Sequence, residues 1–197
     1  MHAVHYIRHD ALWGVLFWSV VVVRIVVEFL NAARQPTGHA VVPERERDAL
    51  SSVFLFTSVG GFLIAFRATS LAIPGPGRGY VAVGVALMWL GIGLRQWSVR
   101  TLGRFFTFQL TVRIGQRVVD GGPYRVLRHP SYSGLLLTSL GAGIALGNWV
   151  TLALLTIPYA LAMARRIGIE EAMLRQGLGE DYERYASGRK RLIPGVW

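Results

Sequence analysis

The 197-residue chain contains no cysteine. That excludes disulfides, a thiolate nucleophile and any metal site built on sulfur. Lysine is almost missing too: Lys190 stands alone among 21 basic residues, the other twenty being arginine, a bias that G+C-rich coding explains as readily as chemistry. Charged residues make up only 16% of the chain, where a soluble domain has about a quarter. The shortfall is concentrated in a few long apolar stretches, and 52% of residues are hydrophobic. A bilayer, not a large soluble core, is the solvent this composition suits. Acids are scarce, so the net charge is +10. No nucleic-acid recognition motif accompanies that charge, and in a membrane chain it marks cytoplasmic loops. His2, His5 and His9 read as a flexible, partly basic terminus, not a metal site, and no metal or nucleic-acid partner is expected.

Five apolar segments stand out: Ala11–Leu30, Leu50–Phe66, Tyr80–Trp97, Tyr132–Leu146 and Trp149–Ala164. The first, at about 20 residues, is long enough to span, and no small-residue cleavage site follows it, so it reads as a retained helix. Within it Arg24 and Glu28 lie one helical turn apart and suit an ion pair. The charge run Glu44–Asp48 precedes the second segment. A Pro/Gly stretch from Ile73 to Gly79 reads as an exposed turn before the third. Only Gly147 and Asn148 separate the last two, which predicts a helix hairpin, tilted or partly withdrawn from the lipid. The predicted fold is therefore all-α and polytopic: a single membrane domain over 1–197, with about five transmembrane helices. N-terminal helices fill 1–97 and a second half covers 98–197. From Arg95 to Arg128 there are seven arginines against one acid, and seven more basic residues follow Ala164. The positive-inside rule puts both regions in the cytoplasm, as in an inner (plasma) membrane protein. Between them, Leu102–Phe108 mixes basic and aromatic residues, which suits a loop at headgroup level and a substrate-facing ledge equally.

Candidate chemistry gathers in two clusters. In Gly121–Gly134, ionisable residues crowd against the start of an apolar helix. Pro130 suits the first turn, where its missing N–H matters least, His129 then falls near the N-cap, and Tyr132 lies three residues on. The free amides of such a helix start can receive an anion; a plain helix cap with an interfacial tyrosine reads as well. Gly141-Ala-Gly143 further along is a sign of close helix packing, or of a surface on which a flat ring could lie. The second cluster, Arg165 to Glu171, closes the fifth helix. Arg166 and Glu170 share one face, Glu171 and Arg175 another, and a surface ion-pair ladder continued by Glu180 and Arg184 is the bland account. Because the two helices form a hairpin, His129 and Glu170 meet at one membrane face. S-adenosylmethionine fits such a set: an acid for its ammonium or ribose diol, amides and His129 for its carboxylate, an aromatic face such as Tyr132 for its sulfonium.

The run Gly122-Pro-Tyr-Arg-Val-Leu-Arg-His129-Pro-Ser-Tyr132-Ser-Gly134 resembles the signature of isoprenylcysteine carboxyl methyltransferases. Glu170-Glu171, the spaced Gly179, Tyr182 and Tyr185, and Arg191-Leu-Ile-Pro194 resemble it too. Phospholipid N-methyltransferases are similar through Gly141-Ala-Gly143 and the paired glutamates. The likeness covers roughly residues 100–197. It implies a membrane methyltransferase using S-adenosylmethionine, with a cytoplasmic C-terminal segment capping the cofactor and a lipophilic acceptor, a prenylcysteine-like or lipid carboxylate, entering from the bilayer. Tyr124, His129, Pro130, Tyr132, Gly141, Gly143, Glu170, Glu171 and Tyr182 would line the cofactor site. Arg166, with Glu170, would serve the transfer by orienting the acceptor. An ionised carboxylate acceptor needs no general base, so alignment and dehydration would be the protein's task. Sterol reductases share an Arg-His-Pro-x-Tyr run, which keeps an NADPH-dependent reductase as the rival, though paired glutamates are poor company for a polyanion. A non-enzymatic scaffold is the third reading and leaves the co-occurrence of these residues to accident.

Overall fold

A computed structural model describes residues 2–34, 56, 58–107 and 115–197. The charge run Glu44–Asp48, the start of the second apolar segment and the end of the 102–108 ledge lie outside them. The described chain is helical: α1 (Ala3–His9), α2 (Ala11–Ala33), α3 (Ser58–Arg67), α4 (Gly77–Leu102), α5 (Pro130–Leu146), α6 (Trp149–Leu178) and α7 (Glu180–Ser187). Among the described residues, three helices are long and apolar enough to cross a membrane: α2, α4 with its extension to Phe105, and α6. The α5 helix has 17 residues and is sheltered between α4 and α6. Large apolar side chains point outward elsewhere, among them Leu12, Ile25 and Phe29 on α2, Leu90 on α4 and Leu161 on α6. In water such a surface would drive association; in lipid it is the expected exterior.

Several boundaries differ from the hydropathy pattern, each for a local reason. The Pro/Gly stretch is already helical at Gly77, because Pro76 supplies the N-cap and loses nothing by lacking an amide hydrogen. The α6 helix runs to Leu178, past the apolar limit at Ala164. Its added turns carry the charged residues whose partners lie on other elements, so hydropathy does not register them. The N-terminus is a helix, not a flexible tail: Ala3, Val4 and Ile7 are buried and join Phe17, Val81, Met88 and Leu146 in one core. Asp10 ends α1 and caps α2, its carboxylate accepting from the Leu12 amide at 3.1 Å.

At the hairpin turn Gly147 adopts a left-handed conformation (φ +58°) that ends α5. Asn148 then caps α6 by accepting from the amides of Val150 and Thr151, both at 3.1 Å. Its side-chain amide also donates to the Ala68 carbonyl at 3.0 Å, tying the turn to the end of α3.

The tightest contact is between α4 and α5. Gly84 and Gly91 on one helix face Gly141 and Gly134 on the other, each pair seven residues apart. A Cβ added at Gly84 would lie 2.5 Å from the Gly141 carbonyl oxygen, and one at Gly91 would lie 2.5 Å from that of Gly134. The reverse additions, at Gly141 and Gly134, would each meet a carbonyl at 2.6 Å. Backbone therefore rests on backbone, the packing available to membrane helices where lipid leaves no hydrophobic drive between them. Gly91→Ala and Gly134→Ala are each expected to destabilise the protein by about 1–3 kcal/mol, the usual range for overpacking. Gly93→Ala, on the same helix with nothing within 4 Å of its added Cβ, should be neutral. Thermal unfolding of the three variants in detergent checks this.

Candidate functional site

Glu171 is the centre of the polar end of the hairpin. Its side chain is fully buried, a position a carboxylate occupies only with partners. Arg128 Nη1 lies at 2.8 Å, Arg191 donates through Nε at 3.1 Å and Nη2 at 2.9 Å, and Arg175 Nη2 is at 3.3 Å. His129 Nε2 also faces it, 3.3 Å from Oε1. The donors come from three separated stretches of sequence. Backbone pairing brings the last of them in: the Arg128 amide donates to the Lys190 carbonyl at 2.8 Å and that of His129 to Arg191 at 3.0 Å, while the Ser133 hydroxyl donates to the Leu192 carbonyl at 2.7 Å. The hydrogen bonds to Glu171 raise the Arg191 guanidinium above its ordinary pKa.

A second layer sits one helical position away. His129 caps α5 and its ring stacks on Tyr132, with centroids 5.7 Å apart and planes within 14°. The Tyr132 hydroxyl donates to Glu170 Oε2 at 2.6 Å and accepts from Arg166 Nε at 2.9 Å. Arg166 and Glu170, expected on one helix face, thus both bond a tyrosine on the neighbouring helix. Glu171 and Arg175 do pair at i, i+4.

The third layer lies deeper. Arg95 of α4 is 4% exposed and engages both Glu28 oxygens of α2, at 3.0 and 3.1 Å. Its Nη1 donates to the Ser131 hydroxyl, between His129 and Tyr132. Tyr159 of α6 packs with Leu135 and Met163 against Tyr132.

Tyrosines of α7 and of residues 122–125 close the remaining side. The Tyr185 hydroxyl donates toward the carbonyls of Tyr124 and Leu127, at 3.1 and 3.3 Å, and burial pushes its pKa up to about 12, so it remains a donor at physiological pH. Burial also raises Tyr124 and Tyr182. The Tyr182 hydroxyl and Arg128 Nε are buried and reach no hydrogen-bond partner among the described residues.

Of the residues singled out from sequence, the structure brings together His129, Pro130, Tyr132, Arg166, Glu170 and Glu171, with Tyr124 and Tyr182 beside them. It does not bring Gly141 or Gly143 to that cluster. Gly141 rests on the α4 backbone at Gly84 and Met88, Gly143 on Leu152 of α6, and Gly141 is about 18 Å along α5 from the cap at 1.5 Å per residue. The Tyr132 and Ser133 amides, free in principle at a helix start, donate to the His129 carbonyl at 3.0 and 3.2 Å. Sequence reasoning passed over Arg95, Glu28, Ser131, Arg128 and Arg191 as site residues. Arg128 and Arg191 stood inside the motifs already quoted, whereas Arg95 had counted only toward topology.

Removing the hub carboxylate should expose its role. Glu171→Ala leaves Arg128 and Arg191 facing each other without a counter-charge, and a loss of about 3–5 kcal/mol is expected, the usual result of breaking a buried ion pair from one side. Thermal unfolding measures it, and limited proteolysis should show the chain beyond Gly188 released first.

Comparison with known proteins agrees with this geometry. The sequence model of a family described as "Phospholipid methyltransferase" matches residues 80–181. A probable protein-S-isoprenylcysteine O-methyltransferase of Oryza sativa subsp. indica is 34% identical over 106 residues, 53% of this chain and 56% of that protein. Protein-S-isoprenylcysteine O-methyltransferase B of Arabidopsis thaliana is 35% identical over 115 residues, 57% of this chain and 58% of the relative. The chain thus spans little more than half the length of these relatives. A solved structure titled as the eukaryotic intramembrane Ras methyltransferase, isoprenylcysteine carboxyl methyltransferase, superposes with a TM-score of 0.73 at 25% identity, covering 97% of this chain and 71% of that one. With its membrane helices, its hairpin and a match over more than half its length, this chain belongs to the phospholipid methyltransferase family of integral membrane proteins.

Proposed function

We propose that the chain transfers a methyl group from S-adenosylmethionine to a carboxylate on a lipophilic acceptor; the names of its relatives, which state O-methyl transfer to protein-S-isoprenylcysteine for them, support the methyl transfer. The observation that carries the reading is a pair of fixed guanidiniums at the first turn of α5: Arg166 is held by the Tyr132 hydroxyl, and Arg95 by Glu28 and Ser131. Two such cations suit an acceptor carboxylate; an amine headgroup would meet like charge.

The water-facing side fits the cofactor by its unused donors. Tyr182 Oη and Arg128 Nε suit its carboxylate or ribose oxygens, Glu170 its ammonium or diol, and the stacked His129–Tyr132 pair offers a face to its positive sulfur. Tyr124 closes the same side. When bound, S-adenosylmethionine supplies a methyl carbon already activated for in-line displacement. Arg166, fixed by Tyr132, and Arg95, fixed by Glu28 and Ser131, orient the acceptor carboxylate and strip its water; no side chain has to move a proton. The arginine distribution supports a cytoplasmic position for this face.

Calorimetric titration of the detergent-purified protein with S-adenosylmethionine, and separately with NADPH, tests the cofactor. Saturable S-adenosylmethionine binding is expected, weakened at least tenfold by Glu170→Gln. Labelled-methyl transfer is expected to N-acetyl-S-farnesylcysteine and not to phosphatidylethanolamine. Arg166→Gln should lower kcat/KM for the farnesylated acid about 10–100-fold while leaving cofactor affinity within twofold, the behaviour of a group that aligns only the acceptor. Binding of NADPH alone would overturn the assignment.

A further inference from the structure

Glu28 lies on α2, outside the residues 80–181 that carry the family match, yet its carboxylate holds the most deeply placed arginine of the site. Both oxygens are engaged, by Arg95 Nε at 3.0 Å and Nη2 at 3.1 Å. A two-point contact of this kind fixes the plane of a guanidinium as well as its position. The remaining nitrogen, Nη1, is thereby aimed at Ser131 in the first turn of α5, and the Phe106 ring covers the guanidinium at 5.1 Å. With side-chain exposures of 5% for Arg95 and 26% for Glu28, the pair is anchored inside the protein and reaches the α2 surface only through the acid.

We propose that Glu28 is a positioning residue for methyl transfer: it sets the plane of Arg95 against the acceptor end of the site and makes α2 part of the working machinery. The inference rests on the acceptor carboxylate lying between Arg95 and Arg166. Methylation turns that carboxylate into a neutral ester. An arginine held by the acceptor alone would lose its counter-charge at that step and resist release of the product. Arg95 keeps Glu28 throughout, so it orients the acid without depending on it for neutrality. An ion pair that only stabilised the fold would leave the kinetics of folded protein unchanged.

The test is steady-state transfer to N-acetyl-S-farnesylcysteine by wild type, Glu28→Gln, Glu28→Asp, Arg95→Gln and the double variant Glu28→Gln/Arg95→Gln. Cofactor titration and thermal unfolding are run on the same preparations. Glu28→Gln is expected to lower kcat about tenfold with acceptor KM unchanged or lower, because the released guanidinium grips the acid but no longer presents it correctly. Cofactor affinity should stay within twofold. Glu28→Asp, which keeps the charge one methylene short, should recover part of the loss and serves as the readout if the glutamine variant does not fold. Adding Glu28→Gln to Arg95→Gln should change kcat less than twofold, since the acid acts through the arginine. Unchanged kcat in folded Glu28→Gln, a raised KM at constant kcat, or additive losses would each overturn the inference and leave the proposed activity standing. No transfer by wild type would overturn both.

Discussion

A single buried carboxylate organises the polar end of the helix hairpin in this protein. Glu171 collects three guanidiniums and an imidazole that the sequence places at 128–129, 175 and 191. No one of these pairs would be worth much alone, since desolvation offsets most of the attraction in a buried ion pair. Their combined effect is geometric. The carboxylate can be buried only if the Arg-His-Pro turn, the end of α6 and the C-terminal segment all arrive together. Once they do, His129 is held against Tyr132, and Tyr132 is directed at Arg166 and Glu170. The C-terminal segment runs beside residues 127–129 as an isolated parallel bridge, so the chain end forms a wall of the site and not a loose tail.

The membrane side depends on a different constraint. Because α4 and α5 touch backbone to backbone at two glycine pairs, Arg95, one turn beyond Gly91, is close enough for its guanidinium to reach Ser131. Any side chain at Gly91 or Gly134 would push the helices apart just where that contact is made. The added Cβ at Gly134 would itself meet the Arg95 amide nitrogen at 2.7 Å. Helix packing and site geometry are thus one requirement, and Gly141 serves it from farther along the seam.

What could be read from sequence divides along the same line. Period and hydropathy located the long apolar helices, and the two-residue turn located the hairpin, because lipid imposes length and polarity on every spanning segment. Local motifs located His129, Tyr132 and the paired glutamates, since a helix cap and a helix end have positional signatures. Spacing offered Arg24 as the neighbour of Glu28 and a helical ladder for Arg166 and Glu170. The structure adds partners from afar, Arg95 to Glu28 and Tyr132 to both Arg166 and Glu170, 67 and 34–38 positions away. Such pairings follow from tertiary packing, which no local period encodes. The glycines were ambiguous for a related reason: absence of a side chain is the same signal whether a helix or a ligand fills the space.

The site therefore draws on both halves of the chain, although the motifs lie in one. Arg95 sits near the end of α4, before the boundary the sequence suggested at residue 97, and reaches the first turn of α5, while Glu28 on α2 holds it there. Glu171 fixes that turn from the α6 side through His129 and Arg128; Arg95 fixes it from the α4 side through Ser131. Between those anchors stands Tyr132, whose hydroxyl is shared by an acid and a base. A turn held from two directions has little freedom to yield when a ligand binds. The arrangement favours a preformed site over one assembled by closure, and it gives the N-terminal helices a reason to be present beyond filling the bilayer.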